Sequence, residues 1–227
     1  MKSQDSLLLL FYVGALLRHP KARALPFAGR PPEEAREGPA PVYPDAITLP
    51  ESDYSLAQVG SVLHISKAEL HRSHNRLQDA ALLKLVDKRP PATGQWINFP
   101  NAKEWILYGI RYAHPARREG FGIGLPTGFN CPLLKDLPLL PPEPANVLAG
   151  PSSPAAEERE GVIINPLDKR IARGLELSPE LYLLLALVDA IRIGGPRELR
   201  YAREALEGKL MNGANIQERA YRDDQKY

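Results

Sequence analysis

The side chains best suited to chemistry stand together between Ser66 and Arg76, in the run Ser-Lys-Ala-Glu-Leu-His-Arg-Ser-His-Asn-Arg. Wound into a helix, this run puts Leu70 and Leu77 on one side, with Ser73 and His74 between them, and puts Lys67, Ala68, His71, Arg72, Asn75 and Arg76 on the other. The second set matches the needs of a duplex. Cations neutralise phosphates, arginine pairs with the guanine edge, asparagine pairs with adenine, and a small alanine permits close approach. Ser66 is placed to cap the helix, and Glu69, three residues on, completes a capping box that fixes its start.

A helix of this kind has to be presented by its neighbours. Ser55 opens a second amphipathic pattern whose Leu56, Val59 and Leu63 can pack behind Leu70 and Leu77, and His64-Ile65-Ser66 joins the two. After Leu82-Leu83, the β-prone pairs Leu85-Val86 and Trp96-Ile97 bracket Lys88, Arg89, two prolines and Gly94, which predicts a hairpin with a basic tip. Helix, turn, helix and basic hairpin in this order predict a winged helix-turn-helix, with Lys88 and Arg89 on the phosphate backbone or in the minor groove. Ser66 is counted with the contact residues because it begins the exposed side.

Ser66-Lys67, Leu70, His71-Arg72 and Arg76-Leu77 resemble the recognition helix of MarR-type winged helix-turn-helix regulators. The resemblance covers about a fifth of the chain. It implies base or phosphate contacts from Lys67, His71, Arg72 and Arg76. Ala80-Ala81 stands where that pattern commonly has a glycine, at a point where the chain is expected to turn left-handed.

Composition places the charge locally. The 227 residues carry a net charge of only +2. Between Tyr54 and Pro91, however, Lys67, Arg72, Arg76, Lys84, Lys88 and Arg89 face only Glu69, Asp79 and Asp87. One cysteine, Cys131, excludes an intrachain disulfide and a cysteine-rich zinc site, and fits a cytoplasmic protein. The apolar run Leu7–Leu17 is too short to span a bilayer. It predicts a buried first helix over residues 5–18, with Asp5 in its first turn and Arg18-His19 at its end, and no membrane partner.

Proline marks the joints, with 23 in the chain. Residues 20–52 read as an irregular insertion, and 116–161 as a Gly/Pro-rich connector. Asn101 and Glu104 predict another capped helix ending before Pro115, and Gly161–Pro166 a short strand. Gly120–Gly128 lacks the Gly-Lys-Ser/Thr of a phosphate loop and reads as turns. Ser178, Pro179 and Gly194-Gly195 delimit a strong helix, apolar all round from Leu183 to Val188. A further helix over residues 196–210 follows, and then a frayed tail from Met211.

The expected fold is therefore mainly α with a small β-hairpin wing: a winged helix-turn-helix domain over 1–115, the connector, and a C-terminal helical hairpin within 162–227 for association. The expected function is sequence-specific binding of double-stranded DNA by a homodimer on a palindromic operator, as a transcription regulator of bacterial type acting as a repressor or an activator. The alternative is a protein-interaction module, or a DNA-binding antitoxin, that uses the same fold to hold a partner protein. No cofactor or metal is expected. His71 and His74 diverge on the helix, and neither Cys131 with His114 nor Asp168 with Asp189 has a catalytic spacing, so no enzyme is expected.

Overall fold

The structure is a computed structural model and describes residues 1–18, 56–84, 96–134 and 140–224. The molecule is mainly helical with little sheet. Helix α1 (Ser3–Arg18) is buried on nearly every side, with Leu7 to Leu10, Tyr12, Val13 and Leu16 all inaccessible. Its apolar run is continuous because α1 lies at the centre and packs against three other helices. These are α3 (Lys67–Asp79) on one side, and α6 (Pro179–Ile193) and α7 (Pro196–Asp224) on another. Among the described residues no helix is long and apolar enough to cross a membrane.

Helix α2 (Leu56–Val62) and α3 are joined by a tight corner. Val59, Leu63, Leu70 and Leu77 are buried together, as their spacing predicts. Both helices end in the same way. The Ile65 amide donates to Gly60 O and the His64 amide to Ser61 O. At the second end, the Leu82 amide donates to Leu77 O and the Ala81 amide to Gln78 O. These are Schellman motifs, which need a left-handed residue, and His64 (φ 52°) and Ala81 (φ 53°) adopt that conformation without being glycine. Asn98 and Asn101 both donate to Ala81 O and hold the second end in place. At the first, a Cβ on Gly60 would lie 2.7 Å from Ile65 O, so the corner needs glycine there.

Strands β1 (Leu83–Lys84) and β2 (Trp96–Ile97) pair antiparallel, Leu83 opposite Ile97. The pairing begins two residues earlier than expected, and Leu85, Val86 and the basic tip lie outside the described residues. The Gln217 side chain of α7 accepts from the Ile97 amide at 2.9 Å and donates to Ile97 O at 2.9 Å, which satisfies the far edge of β2. The tail after Met211 is thus not frayed. Helix α7 continues to Asp224; Ile216 and Gln217 in its last turns are buried, and Gln217 is bonded to β2.

The next helix starts at α4 (Phe99–Glu104), passes through a π-helical turn at Trp105–Gly109, and ends in α5 (Ile110–Ala113). Asn101 is not its cap. The helix begins earlier because Pro100 suits a first-turn position.

The supposed connector 116–161 is structured over its described residues. Strand β3 (Arg118–Pro126) pairs antiparallel with β5 (Arg159–Ile164) from Arg118 to Gly124, and its end pairs with β4 (Asn146–Leu148). β4 runs parallel to β5. Gly124, expected in a turn, and Gly161, expected in a strand, both sit where backbones approach closely. A Cβ on Gly124 would lie 2.4 Å from Leu148 O, and one on Gly161 would lie 2.2 Å from Ala145 O.

Helix α6 has the predicted bounds. The Ser178 hydroxyl accepts from the Leu181 amide, and Gly194 ends the helix. Its residues Leu184 to Ile191 are buried within the chain. It also anchors the sheet. Asp189 accepts from Thr127 Oγ1 (2.7 Å) and Arg192 (2.6 Å), and Arg192 donates to His114 O and Asn165 O. One apolar cluster runs through α1, α2, α3, α6 and α7, on both sides of the expected boundary at residue 115.

Candidate nucleic-acid interface

Helix α3 is fixed first at its start. Ser66 takes extended backbone angles and its hydroxyl accepts from the Glu69 amide at 3.4 Å. The reciprocal half of the expected capping box is replaced, because the Glu69 carboxylate faces other donors. Gln4 Nε2 donates to it at 2.6 Å, Arg72 at 3.0 Å, Arg76 at 3.1 Å and Lys2 Nζ at 3.5 Å. Chiefly through Arg72, these bonds hold the Glu69 carboxyl well below the ordinary range, at about 2.

From behind, α3 is held by α1. Leu70, Ser73, His74 and Leu77 are buried on that side. The His74 ring stacks on Tyr12 with centroids 5.7 Å apart, and its Nε2 is hydrogen-bonded to the Tyr12 hydroxyl. Burial, aided by His71, pushes His74 down to about 4, so it is neutral near pH 7. His71 is exposed on the opposite side, so the two histidines diverge. Among the described residues no three His, Cys, Asp or Glu side chains gather as metal ligands.

The outer side of α3 carries Ser66, Lys67, Ala68, His71, Arg72 and Asn75, all exposed. Arg72 is the longest reach, with 68% of its side chain open. Arg76 departs from the expected set. Its Nε and one terminal nitrogen donate to the two Asp5 oxygens at 2.9 and 2.7 Å, and the latter also donates to Ser73 and Glu69. Asp5 is inaccessible to solvent. Burial alone raises its carboxyl, but the bonds from Arg76 and the Lys2 amide outweigh that and leave it lowered. Arg76 therefore ties α3 to α1 and is turned away from the outer side. The expected contacts Lys88 and Arg89 lie outside the described residues.

Three neighbours of α3 were missed by the spacing argument: Lys2, Gln4 and Asp5, which reach it from the start of α1. Asp5 carried one local signal, an anion at a helix start. Lys2 adds a cation, 63% open, beside the start of α3.

The groups weighed for catalysis are separately engaged. Cys131 is buried, and burial pushes its thiol up to about 11. His114 is bonded to Ser6, while Asp168 accepts from Arg170 and Ser3. Comparison with protein-family models, curated proteins and solved structures finds no match for this chain.

Proposed function

We propose that the chain is a winged helix-turn-helix protein that binds double-stranded DNA in a sequence-specific way as a transcription regulator, acting as a homodimer in the cytoplasm. The observation that carries this reading is the outer side of α3. It gathers Lys67, His71, Arg72 and Asn75 on a helix capped by Ser66 and buttressed from behind, with small Ala68 between them. Helix, corner, helix and strand pair follow one another as that fold requires. Two copies related by a two-fold axis would read two half-sites. The contact from Arg76 is no longer part of the proposal, and association through the C-terminal helices falls to α7, since Leu184 to Ile191 of α6 are buried within the chain.

The test is selection of duplexes from a random pool with the full chain, with light scattering on the free protein and on the complex. A recurrent, two-fold-related motif is expected. Affinity should fall as salt rises, with a log–log slope of about −0.9 per phosphate neutralised. Lys67→Ala and Arg72→Ala should each weaken the selected duplex by roughly 1–3 kcal/mol where they make a specific contact. If no duplex is held at low salt, the reading is wrong.

One observation favours a second reading, a module that holds another protein. Phe121 and Ile123 on β3 are 60% and 68% exposed, and Tyr112 on α5 is 80% exposed. Exposed apolar clusters mark contact surfaces. Under that reading, Phe121→Lys abolishes partner capture and Arg72→Ala has no effect.

A further inference from the structure

We propose that Glu69 is a positioning residue that sets Arg72 for one guanine in the bound duplex. The inference rests on the DNA-binding reading of α3 and adds to it the residue that decides specificity at one base pair.

Glu69 lies on the contact helix itself, where an anion close to phosphates is unfavourable unless it serves a purpose. Its two oxygens are divided. Oε1 faces inward and accepts from Gln4, Arg76 and Lys2, while Oε2 accepts from NH1 of Arg72 at 3.0 Å. The inward donors immobilise the carboxylate, of which only 18% is open. A fixed carboxylate in turn fixes the guanidinium, although Arg72 is otherwise exposed. Nε and the second terminal nitrogen of Arg72 have no partner among the described residues. A planar fork held at one corner presents its remaining donors in a set direction, which suits the paired acceptors O6 and N7 of guanine. A free arginine would swing between phosphates and bases, adding affinity without choosing among sequences. The exposed ion pair contributes little to stability, so its consequence is read in selectivity.

The experiment uses the full chain and the duplex it selects. Each base pair is changed in turn, and affinities of the wild type, Arg72→Ala, Glu69→Gln and Glu69→Asp are compared with those on mixed-sequence duplex. Arg72→Ala should erase the preference at one G·C pair, a loss of roughly tenfold. Glu69→Gln removes the charge that grips Arg72, and Glu69→Asp keeps the charge but shortens its reach. Both should weaken the preference at that same pair and no other, with mixed-sequence affinity unchanged or raised. Melting curves establish that each variant is folded, and the aspartate serves if the glutamine variant is not. If the preference at that pair survives in both, or if selected and mixed duplexes weaken equally, the inference is overturned. If the wild type selects no duplex at all, the DNA-binding reading itself fails, a different outcome from a wild type that selects and a Glu69 variant that selects equally well.

Discussion

Replacing Arg76 by alanine would leave the inaccessible Asp5 carboxylate with neutral donors alone, the Lys2 amide and the Ser73 hydroxyl. Removing one partner from a buried ion pair costs about 3–5 kcal/mol, and a loss of that size in unfolding free energy, read from urea titration, is expected for Arg76→Ala. Arg72→Ala, by contrast, should leave the midpoint nearly unchanged. His74 makes stability depend on pH. Its folded value of about 4 lies below the ordinary 6.5, so the unfolded chain binds the extra proton between these values. Stability is therefore complete above pH 6.5 and declines as pH falls toward 4, by about 3 kcal/mol in all. Urea titrations at pH 7 and pH 4.5 measure this, and His74→Phe should flatten the difference. At this scale the sequence made the inward and outward residues of α3 legible, because a 3.6-residue period assigns them. It misplaced Arg76, which sits at the border of the two sides, and whose partner is 71 residues away. A long side chain at such a border goes where the fixed charge is, and no local pattern reports that.

Helices α2 and α3 both close on a left-handed residue that carries a Cβ. The left-handed conformation costs an L-residue roughly 1–2 kcal/mol, part of which glycine gives back through its freer unfolded chain. Ala81→Gly and His64→Gly should each raise stability by up to about 1 kcal/mol, seen as a higher melting temperature. Gly60→Ala should lower it sharply, since Ile65 O would have to move. Gln217→Leu should destabilise by about 1–3 kcal/mol, because the Ile97 amide and carbonyl lose their partners. Ends marked by local chemistry were legible, as Ser66, Ser178, Pro179 and Gly194 illustrate. The strand Arg118–Pro126 was not, because Gly124 answers to the approaching backbone of Leu148 and Gly122 to the side chain of Ile163. The last turns of α7 were not either. Their polar sequence is anchored where Gln217 meets Ile97 of β2, a partner 120 residues away.

Across the whole molecule, α1 is common property. One side seats α3 through Tyr12 and Asp5, and the others meet α6 and α7. The sequence announced this helix as wholly apolar but gave no sign of what would cover it, and so the expected division at residue 115 placed its two sets of partners in different domains. The consequence concerns modularity. A fragment ending at residue 115 would strip α1 of α6 and α7 and leave Leu7 to Leu10 without their cover. Such a fragment is expected to be insoluble or molten, with a far-ultraviolet helix signal but no cooperative melt, whereas the full chain melts in one step. Helix α3 could not then be grafted as a cassette onto an unrelated scaffold, and a chimera would have to inherit the C-terminal helices along with it.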